Sequence, residues 1–463
     1  MSFFKAYDMR GTFGVDFNLD VVYRIGRHLP AVIRSRNSGN GADGAAAQLR
    51  VLVGRDTRVS SPAVAGALVA GLKAAGALVT DLGPATTPMV YFFTAEEDFD
   101  ASVMVTASHN PPSDNGLKVS RRGAIPVGYV SGLADLERLV EADGLSSFDT
   151  AHSAVVRDTT DEVRLAKYVD WLRSHGMFDP ENTPLRFAVD CSDGMASILA
   201  YSLFGPHAVY LNDKLDGNYP HHSPNPLKAE AREQLAAVVR GQALDCGVIF
   251  DGDADRCMFV DETGTFIQPD FLIPSLARTF EERAPVIYDV RTSRAVVEQL
   301  TADGFTPVMG KVGHAFAKML LRETGAVCGG ELAGHYYFRD FHFCDSGFLA
   351  ALRLLGAFSA VKASGGTVSA VLAPVVRKYA NSGELNFKVD DKPAAIERVL
   401  AAATRLGRER DCSEIDGIRL EYDKGWISVR QSNTESYLRL IVECDTEDRL
   451  KQWLSVLSAA IEA

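Results

Sequence analysis

Arg50-Val-Leu-Val-Gly-Arg-Asp-Thr-Arg58 decides the fold. Arg50–Val53 is a short run rich in β-branched residues, of strand length, and it ends in the polar turn Gly54–Arg58. Ser61–Ala77 follows as an Ala-rich helical stretch, and Leu78–Leu82 as a second short apolar run. Strand, polar turn, helix, strand is the βαβ signature, with the turn at the strand's carboxyl end, where open α/β sheets bind ligands. The order returns twice. Arg186–Val189 leads into Asp190-Cys-Ser-Asp-Gly194 and a helix near Ala196–Leu203. Pro285–Tyr288 leads into Asp289-Val-Arg-Thr-Ser-Arg294 and a helix near Ala295–Asp303. Three α/β units in tandem are the economical reading.

The tail has another rhythm. A helical stretch at Lys392–Leu406 precedes strand-like runs at Ile418–Tyr422, Trp426–Val429 and Tyr437–Glu443, and an amphipathic helix spans Glu447–Ile461. Strands grouped between two helices predict a smaller α+β domain. The expected domains are 1–154, 155–265, 266–375 and 376–463. Ser35–Ala47, rich in Gly, Ala, Asn and Ser, is expected to form a surface loop.

With 463 residues, about three domains are expected, two or four also being in range. Apolar residues at 46% and charged residues at 23% exclude a disordered or collagen-like chain. A net charge of −12 argues against nucleic-acid and anionic-membrane partners. Seven scattered cysteines without a C-x-x-C pair exclude a disulfide framework and a structural zinc site. No apolar run approaches the roughly 20 residues of a membrane span. The amino terminus lacks a signal peptide's layout, so a cytoplasmic protein is expected.

Four segments carry polar chemistry. Thr106-Ala-Ser-His-Asn-Pro-Pro-Ser-Asp-Asn-Gly-Leu-Lys118 follows the buried-strand candidate Ala101–Val105, so Ser108 sits at a strand end and Asn110-Pro-Pro112 forces a turn. Ser108, with His109 adjacent and Lys118 nearby, suits a nucleophile; a plain polar turn reads the same residues equally well. No G-x-S-x-G elbow is present, which disfavours acyl transfer. Asp251-Gly-Asp-Ala-Asp-Arg256, after the apolar run Cys246–Phe250, sets three carboxylates at i, i+2 and i+4. Such hard oxygen ligands select Mg²⁺ or Ca²⁺, and packing three like charges is costly without a cation. The glycine and the distal glutamate of an EF-hand are misplaced here. Gly329-Gly-Glu-Leu-Ala-Gly-His335 is a Gly-rich loop with one carboxylate and one imidazole, uninformative alone. Arg430-Gln-Ser-Asn-Thr-Glu435 is read as a loop, either a phosphate cradle or a capped turn.

In this order, after a Tyr7-Asp-Met-Arg-Gly11 opening, these segments closely resemble the α-D-phosphohexomutases, particularly the bacterial phosphomannomutase/phosphoglucomutase group. The resemblance spans the whole chain. It implies three similar α/β domains plus a C-terminal α+β domain around a central cleft. It further implies a mutase exchanging hexose 1-phosphate and hexose 6-phosphate, of mannose and/or glucose, through a phosphoserine and a hexose 1,6-bisphosphate, which also acts as activator.

By this resemblance Ser108 is the phosphoserine and, with Asp251, Asp253 and Asp255, holds Mg²⁺. Arg10, His109, Lys118 and Arg256 line the transfer site. Lys118 is the expected proton-transfer group, with a pKa lowered by Mg²⁺ and Arg256. Tyr7, Lys311, His314, Glu331 and His335 face the substrate; Arg430, Ser432, Asn433 and Thr434 grip the phosphate not being transferred. Ala333 stands where many members carry serine, and Gln431 and Ser436 where proline is usual. Partners are sugar phosphates, without nucleic acid or membrane, and the expected state is a monomer or homodimer. Phosphoglucosamine mutase is the near alternative and a phosphoserine-dependent sugar phosphatase a further one. A non-catalytic sugar-phosphate binder would have lost Ser108 or one of the aspartates; all are present.

Overall fold

The computed structural model describes residues 3–37, 48–144, 148–431 and 437–463. Its contacts divide the chain into two compact units, Met1–Ile267 with Ala333–Val368 and Gln268–Leu332 with Ser369–Ala463.

The first unit contains two repeats of the expected pattern. Arg50–Arg55 runs parallel to Leu78–Pro84 on one side and to Ala101–Val105 on the other. Asp114–Arg121 then turns back antiparallel to Ala101–Val105, and Met9–Thr12 lies antiparallel beyond it. In the second repeat Phe187–Asp190 lies between its parallel neighbours Val209–Leu211 and Cys246–Phe250. Cys257–Asp261 turns back antiparallel to Cys246–Phe250, as Asp114–Arg121 does in the first. The strand following each parallel trio is therefore a hairpin return, and the two hairpin bends carry the serine and aspartate motifs. The unit also holds the short hairpin of Tyr336–Phe338 with Cys344–Asp345.

Helices Leu19–Asn37 and Ser61–Ala74 cross at glycines. A Cβ on Gly26 would lie 2.4 Å from the Leu68 carbonyl oxygen, and one on Gly71 would lie 2.2 Å from that of Tyr23. Backbone meets backbone there, which no larger residue permits. The buried face of this pair, with Val22, Ile25, Leu29, Val64, Leu68 and Leu72, covers the first sheet's core.

In the second unit Pro285–Asp289 is parallel to Thr306–Gly310 and Cys328–Gly330. The tail forms an antiparallel sheet in the order Ala380–Asn381, Tyr437–Cys444, Gly425–Gln431, Ile418–Tyr422, Glu409–Ser413, with Leu385–Lys388 also on Tyr437–Cys444. Val399, Trp453, Leu457 and Ile461 of helices Lys392–Ala403 and Glu447–Glu462 join Ile427, Val429, Leu440 and Val442 in one core.

Three expectations need correction. Ser35, Arg36 and Asn37 close the first helix rather than open a loop, with Ser35 Oγ donating to the Val32 carbonyl at 2.8 Å and Arg34 and Arg36 in the last turn. Residues 38–47 of that stretch lie outside the described residues. The helix from Ser61 ends at Ala74, because Gly76 takes φ +78°. The helix near Ala196–Leu203 is a 3₁₀ turn, Met195–Ile198, and a short helix, Ala200–Phe204, parted where Leu199 leaves helical geometry at φ −120°. All seven cysteines are free thiols, as expected. Among the described residues no single helix is long and apolar enough to cross a membrane.

Candidate active site

Ser108 stands just past the carboxyl end of Ala101–Val105, buried, with its backbone left-handed at φ +52°. Its N–H donates to Thr106 Oγ1 at 2.8 Å. The Asn-Pro-Pro bend closes as expected, by Asn110 N–H to the Ala107 carbonyl at 3.0 Å and Asp114 N–H to the Pro111 carbonyl at 3.0 Å. The chain re-enters the sheet at Asp114–Arg121, which carries Lys118 opposite Met104. Arg10, on Met9–Thr12, donates from Nη1 to the Ala107 carbonyl at 3.3 Å and from Nε to Asp8 at 2.7 Å. Tyr7 lies just before that strand.

Asp251, Asp253 and Asp255 occupy the bend between Cys246–Phe250 and Cys257–Asp261, all fully or nearly fully buried. Gly252 is pressed against the serine loop: a Cβ there would lie 2.6 Å from the Ser108 carbonyl oxygen. One oxygen from each carboxylate falls within 4.8 Å of the others. The Ser108 hydroxyl donates to Asp251 Oδ2 at 2.8 Å, and Arg256 Nη2 donates to Ser108 Oγ at 3.0 Å. Arg256 Nε also reaches Asp251 at 3.0 Å, and its Nη2 contacts His109 Nδ1. Lys118 Nζ bridges Asp253 and Asp255 at 2.7 and 2.5 Å. Thr87 Oγ1 donates to Asp253 Oδ2 at 2.6 Å.

The donor set fits a divalent cation. Three buried carboxylates converge beside Lys118 and Arg256, with Arg10 also attracted by Asp253 and Asp255. Asp253 Oδ1 and Asp255 Oδ1 are buried without a hydrogen-bond partner. The Asp251 carboxyl is pushed up to about 7, first by burial and then by Asp255. His109 is held well below its ordinary pKa by burial and by the positive charges of Arg256 and Arg10.

Lys118 departs from expectation. Burial would lower its pKa, but the attraction of Asp253 and Asp255 outweighs burial and raises it. With no cation beside them the two carboxylates hold the ammonium above its ordinary pKa; the expected lowering depends on bound Mg²⁺.

His335 is brought to the same centre. Its Nδ1 lies 2.8 Å from Asp345 Oδ2 and 3.7 Å from Asp255 Oδ1, and the two carboxylates raise its pKa against the opposing effect of burial. Asp345 has no motif in the sequence; only the hairpin register, Asp345 opposite Tyr337, shows it. Ala333 presents no hydroxyl.

Other expected residues gather in the second unit, in a closed circuit of polar contacts. Glu331 accepts from the Gly313 N–H at 2.7 Å, and Asp416 accepts from the Val312 N–H at 3.1 Å. Asp416 lies 3.5 Å from Arg430, which donates to Glu384 at 3.0 Å. Glu384 also receives Arg439 at 3.0 Å and lies 3.8 Å from Arg291. Arg291 is paired with Asp289 at 2.7 Å, and Asp289 accepts from the Leu332 N–H at 3.1 Å, beside Glu331. Burial would raise the Glu384 pKa; Arg291, Arg430 and Arg439 outweigh it and hold it below its ordinary value. Lys311 lies over the Phe316 ring, its Nζ 5.4 Å from the centroid, and His314 opens the helix His314–Thr324.

Arg430 is not in a loop. It is the penultimate residue of the strand Gly425–Gln431, opposite Arg439 and nearly buried, because the hydrogen-bonded ladder runs two residues beyond the apolar run. Ser432, Asn433 and Thr434 lie outside the described residues. The sequence reading missed Arg58, Thr87, Asp345, Arg291, Glu384 and Asp416. Arg58 and Arg291 had a signal, an Asp-x-Arg after the first and third central strands; the others had none.

Comparison with known proteins accounts for this arrangement. Family models of phosphoglucomutase/phosphomannomutase match α/β/α domain I at residues 1–138, domain II at 166–264, domain III at 268–379 and the C-terminal domain at 384–459. The chain is 34% identical over 458 residues to a phosphomannomutase of Escherichia coli, covering 96% of each. It is 37% identical over 451 residues to the phosphohexose mutases of Xanthomonas campestris pv. campestris (strain B100), covering 95% of this chain and 94% of the other. A solved phosphoglucomutase/phosphomannomutase family protein from Burkholderia thailandensis superposes with a TM-score of 0.80 at 31% identity, over 100% of this chain and 97% of that one. The chain belongs to the phosphoglucomutase/phosphomannomutase family, with that family's three α/β domains and C-terminal domain. It is accordingly an enzyme of the phosphohexomutase class.

Proposed function

We propose that the chain interconverts hexose 1-phosphates and 6-phosphates, of mannose and/or glucose, with Ser108 as phosphate carrier, Mg²⁺ as the bound cation and hexose 1,6-bisphosphate as intermediate and activator. The observation that carries this reading is the Ser108 hydroxyl held 2.8 Å from one of three convergent buried carboxylates.

In the first half-reaction the free hydroxyl of the sugar phosphate attacks phosphorus on Ser108. The Oγ–P bond breaks as the new O–P bond forms, leaving a bisphosphate and the serine oxygen. The second half returns the sugar's other phosphate to Ser108. Phosphoryl transfer asks the protein mainly for alignment and charge neutralisation. Asp251, Asp253 and Asp255, with Ser108, would hold Mg²⁺, which would supply Lewis-acid charge neutralisation when bound. Arg256, already 3.0 Å from Ser108 Oγ, neutralises charge on the serine side. Lys118, beside the carboxylates that would hold the cation, is the proton-transfer group, its pKa lowered once the cation takes up their charge, and His109, 3.3 Å from Ser108 Oγ, lines the site. Lys311, His314, Glu331, His335 and Tyr7 face the sugar. Arg430, with Ser432, Asn433 and Thr434, takes the phosphate that stays.

A coupled assay on mannose, glucose and glucosamine 1-phosphates decides among the alternatives. The expected result is isomerisation of mannose and/or glucose phosphates, stimulated by hexose 1,6-bisphosphate. Preference for the glucosamine substrate would replace the sugar assignment, and inorganic phosphate released at the rate of substrate loss would make the protein a phosphatase.

Arg430 tests the remote phosphate site. Arg430→Ala should raise KM and lower turnover together, by a combined ~2–4 kcal/mol, because remote phosphate binding also aligns the reacting hydroxyl. Leakage of hexose 1,6-bisphosphate should increase. The melting temperature should also fall, since Glu384 and Asp416 lose a buried partner. Wild-type kinetics in the folded fraction would leave Arg430 a structural residue.

A further inference from the structure

The guanidinium of Arg58 is fully buried, and each of its N–H donors is used. Nε donates to Asp56 at 3.0 Å. Nη1 donates to the carbonyls of Pro111 at 2.5 Å and Asp114 at 3.0 Å, and Nη2 to those of Ser108 and Asn110, both at 2.8 Å. One planar group thus fastens four carbonyls, two within the Asn-Pro-Pro bend and one on either side of it, that of Ser108 included. From the second repeat, Gly217 packs against the same turn, where a Cβ would lie 2.2 Å from the Thr57 carbonyl oxygen. The Tyr219 ring centroid lies 5.3 Å from Arg58 Cζ.

The corresponding turn of the second repeat treats the other loop in the same way. Asp190 accepts from the Ser192 N–H at 2.9 Å, as Asp56 does from the Arg58 N–H at 3.0 Å. Ser192 Oγ then donates at 2.6 Å to the carbonyl of Phe250, the residue before the aspartate triplet. Met195 N–H donates to the Gly252 carbonyl at 2.9 Å. Each repeat therefore uses the turn after its central strand to anchor the neighbouring hairpin bend, the serine bend in the first and the aspartate bend in the second.

We infer that Arg58 is a positioning residue of the transfer step, fixing the Ser108 backbone so that Oγ stands over the aspartate triplet. This rests on Ser108 being the phosphate carrier. Ser108 holds a left-handed backbone that a non-glycine residue keeps only when its surroundings impose it. Five donors in a rigid fork do that; a lysine, a point charge with three donors, does not.

The test compares Arg58→Lys and the milder Asp56→Asn with wild type and with Ser108→Ala. For Arg58→Lys, turnover should fall on the order of 100-fold, the cost of misplacing a reacting group by about an ångström. KM for the sugar phosphate should stay within about twofold, since ground-state binding groups are untouched. Magnesium affinity, measured with Mg²⁺ alone by calorimetry, should be unchanged because all three aspartates remain. Phosphorylation of the dephosphorylated enzyme by glucose 1,6-bisphosphate should slow in parallel with turnover. Asp56→Asn should move the same quantities in the same direction by less, and it decides the matter should Arg58→Lys not fold.

Wild-type turnover in either folded variant would overturn the inference. So would a joint loss of turnover, KM and magnesium affinity, which marks general loosening. An inactive Ser108→Ala beside a fully active Arg58→Lys defeats only the role of Arg58, whereas a fully active Ser108→Ala defeats the carrier reading beneath it.

Discussion

Replacing Ser108 by alanine is expected to lower turnover at least a thousandfold, roughly 4 kcal/mol or more of transition-state stabilisation. The change removes the one atom to which the phosphate is attached in the proposed cycle, so no rearrangement of neighbours restores it. Thr87 Oγ1 is already committed to Asp253 at 2.6 Å. The fold should survive: the loop is held through its backbone by Thr106 and Arg58, and the lost contacts are those of Oγ with Asp251, Arg256 and His109. Intact-mass measurement of active wild-type protein should show one added phosphate, absent from the variant. Stoichiometric phosphate on an active Ser108→Ala protein would move the carrier elsewhere. Unchanged melting temperature with lost turnover separates chemistry from folding.

Why Ser108 and the aspartates were legible, and their supports were not, follows from how each is built. Ala101–Val105 and Cys246–Phe250 are apolar runs of strand length, and both strands have those bounds. An Asn-Pro-Pro bend and three alternating aspartates announce themselves in one stretch of chain. Lys118 is different. Its place on the return strand Asp114–Arg121 sets it against Asp253 and Asp255, more than a hundred residues away. Without a cation that pairing raises its pKa, which no local pattern reveals. The same holds for Asp345 beside His335 and for Glu384 beneath Arg430. The helices Thr87–Glu96 and Gly347–Ala363 were hidden for another reason: they are largely buried and apolar, so neither displays an amphipathic period. Arg430 was read as a loop residue because the apolar run stops at Val429, whereas strand pairing with Leu438 and Arg439 carries the ladder on to Gln431.

Asp253→Asn should stop transfer as completely as chelation of the cation, and it should also change how the protein's stability responds to magnesium. Asp253 offers a buried oxygen without a hydrogen-bond partner, which an amide oxygen replaces in shape but not in charge. Magnesium affinity and turnover should therefore both collapse. In the metal-free protein, however, three carboxylates face Lys118 and Arg256, and Asp251 is pushed up to about 7 by burial and by Asp255. A carboxyl whose folded pKa is raised stabilises the fold fully only below its unfolded pKa, and that stabilisation is lost as pH rises through the folded value. Metal-free wild type should thus lose stability as pH rises from about 4 to about 7. Added magnesium should restore it by binding the folded state alone. In Asp253→Asn Lys118 keeps Asp255 at 2.5 Å but loses its second carboxylate. The metal-free variant should melt below metal-free wild type near neutral pH, because its amide loses the charge that Lys118 and Thr87 meet at Asp253 Oδ2, and magnesium should no longer raise its melting temperature. Thermal melts of both proteins with and without magnesium, across that range, test the balance directly. Undiminished turnover in Asp253→Asn, or a magnesium-induced rise in its melting temperature equal to that of wild type, would remove Asp253 from the cation site.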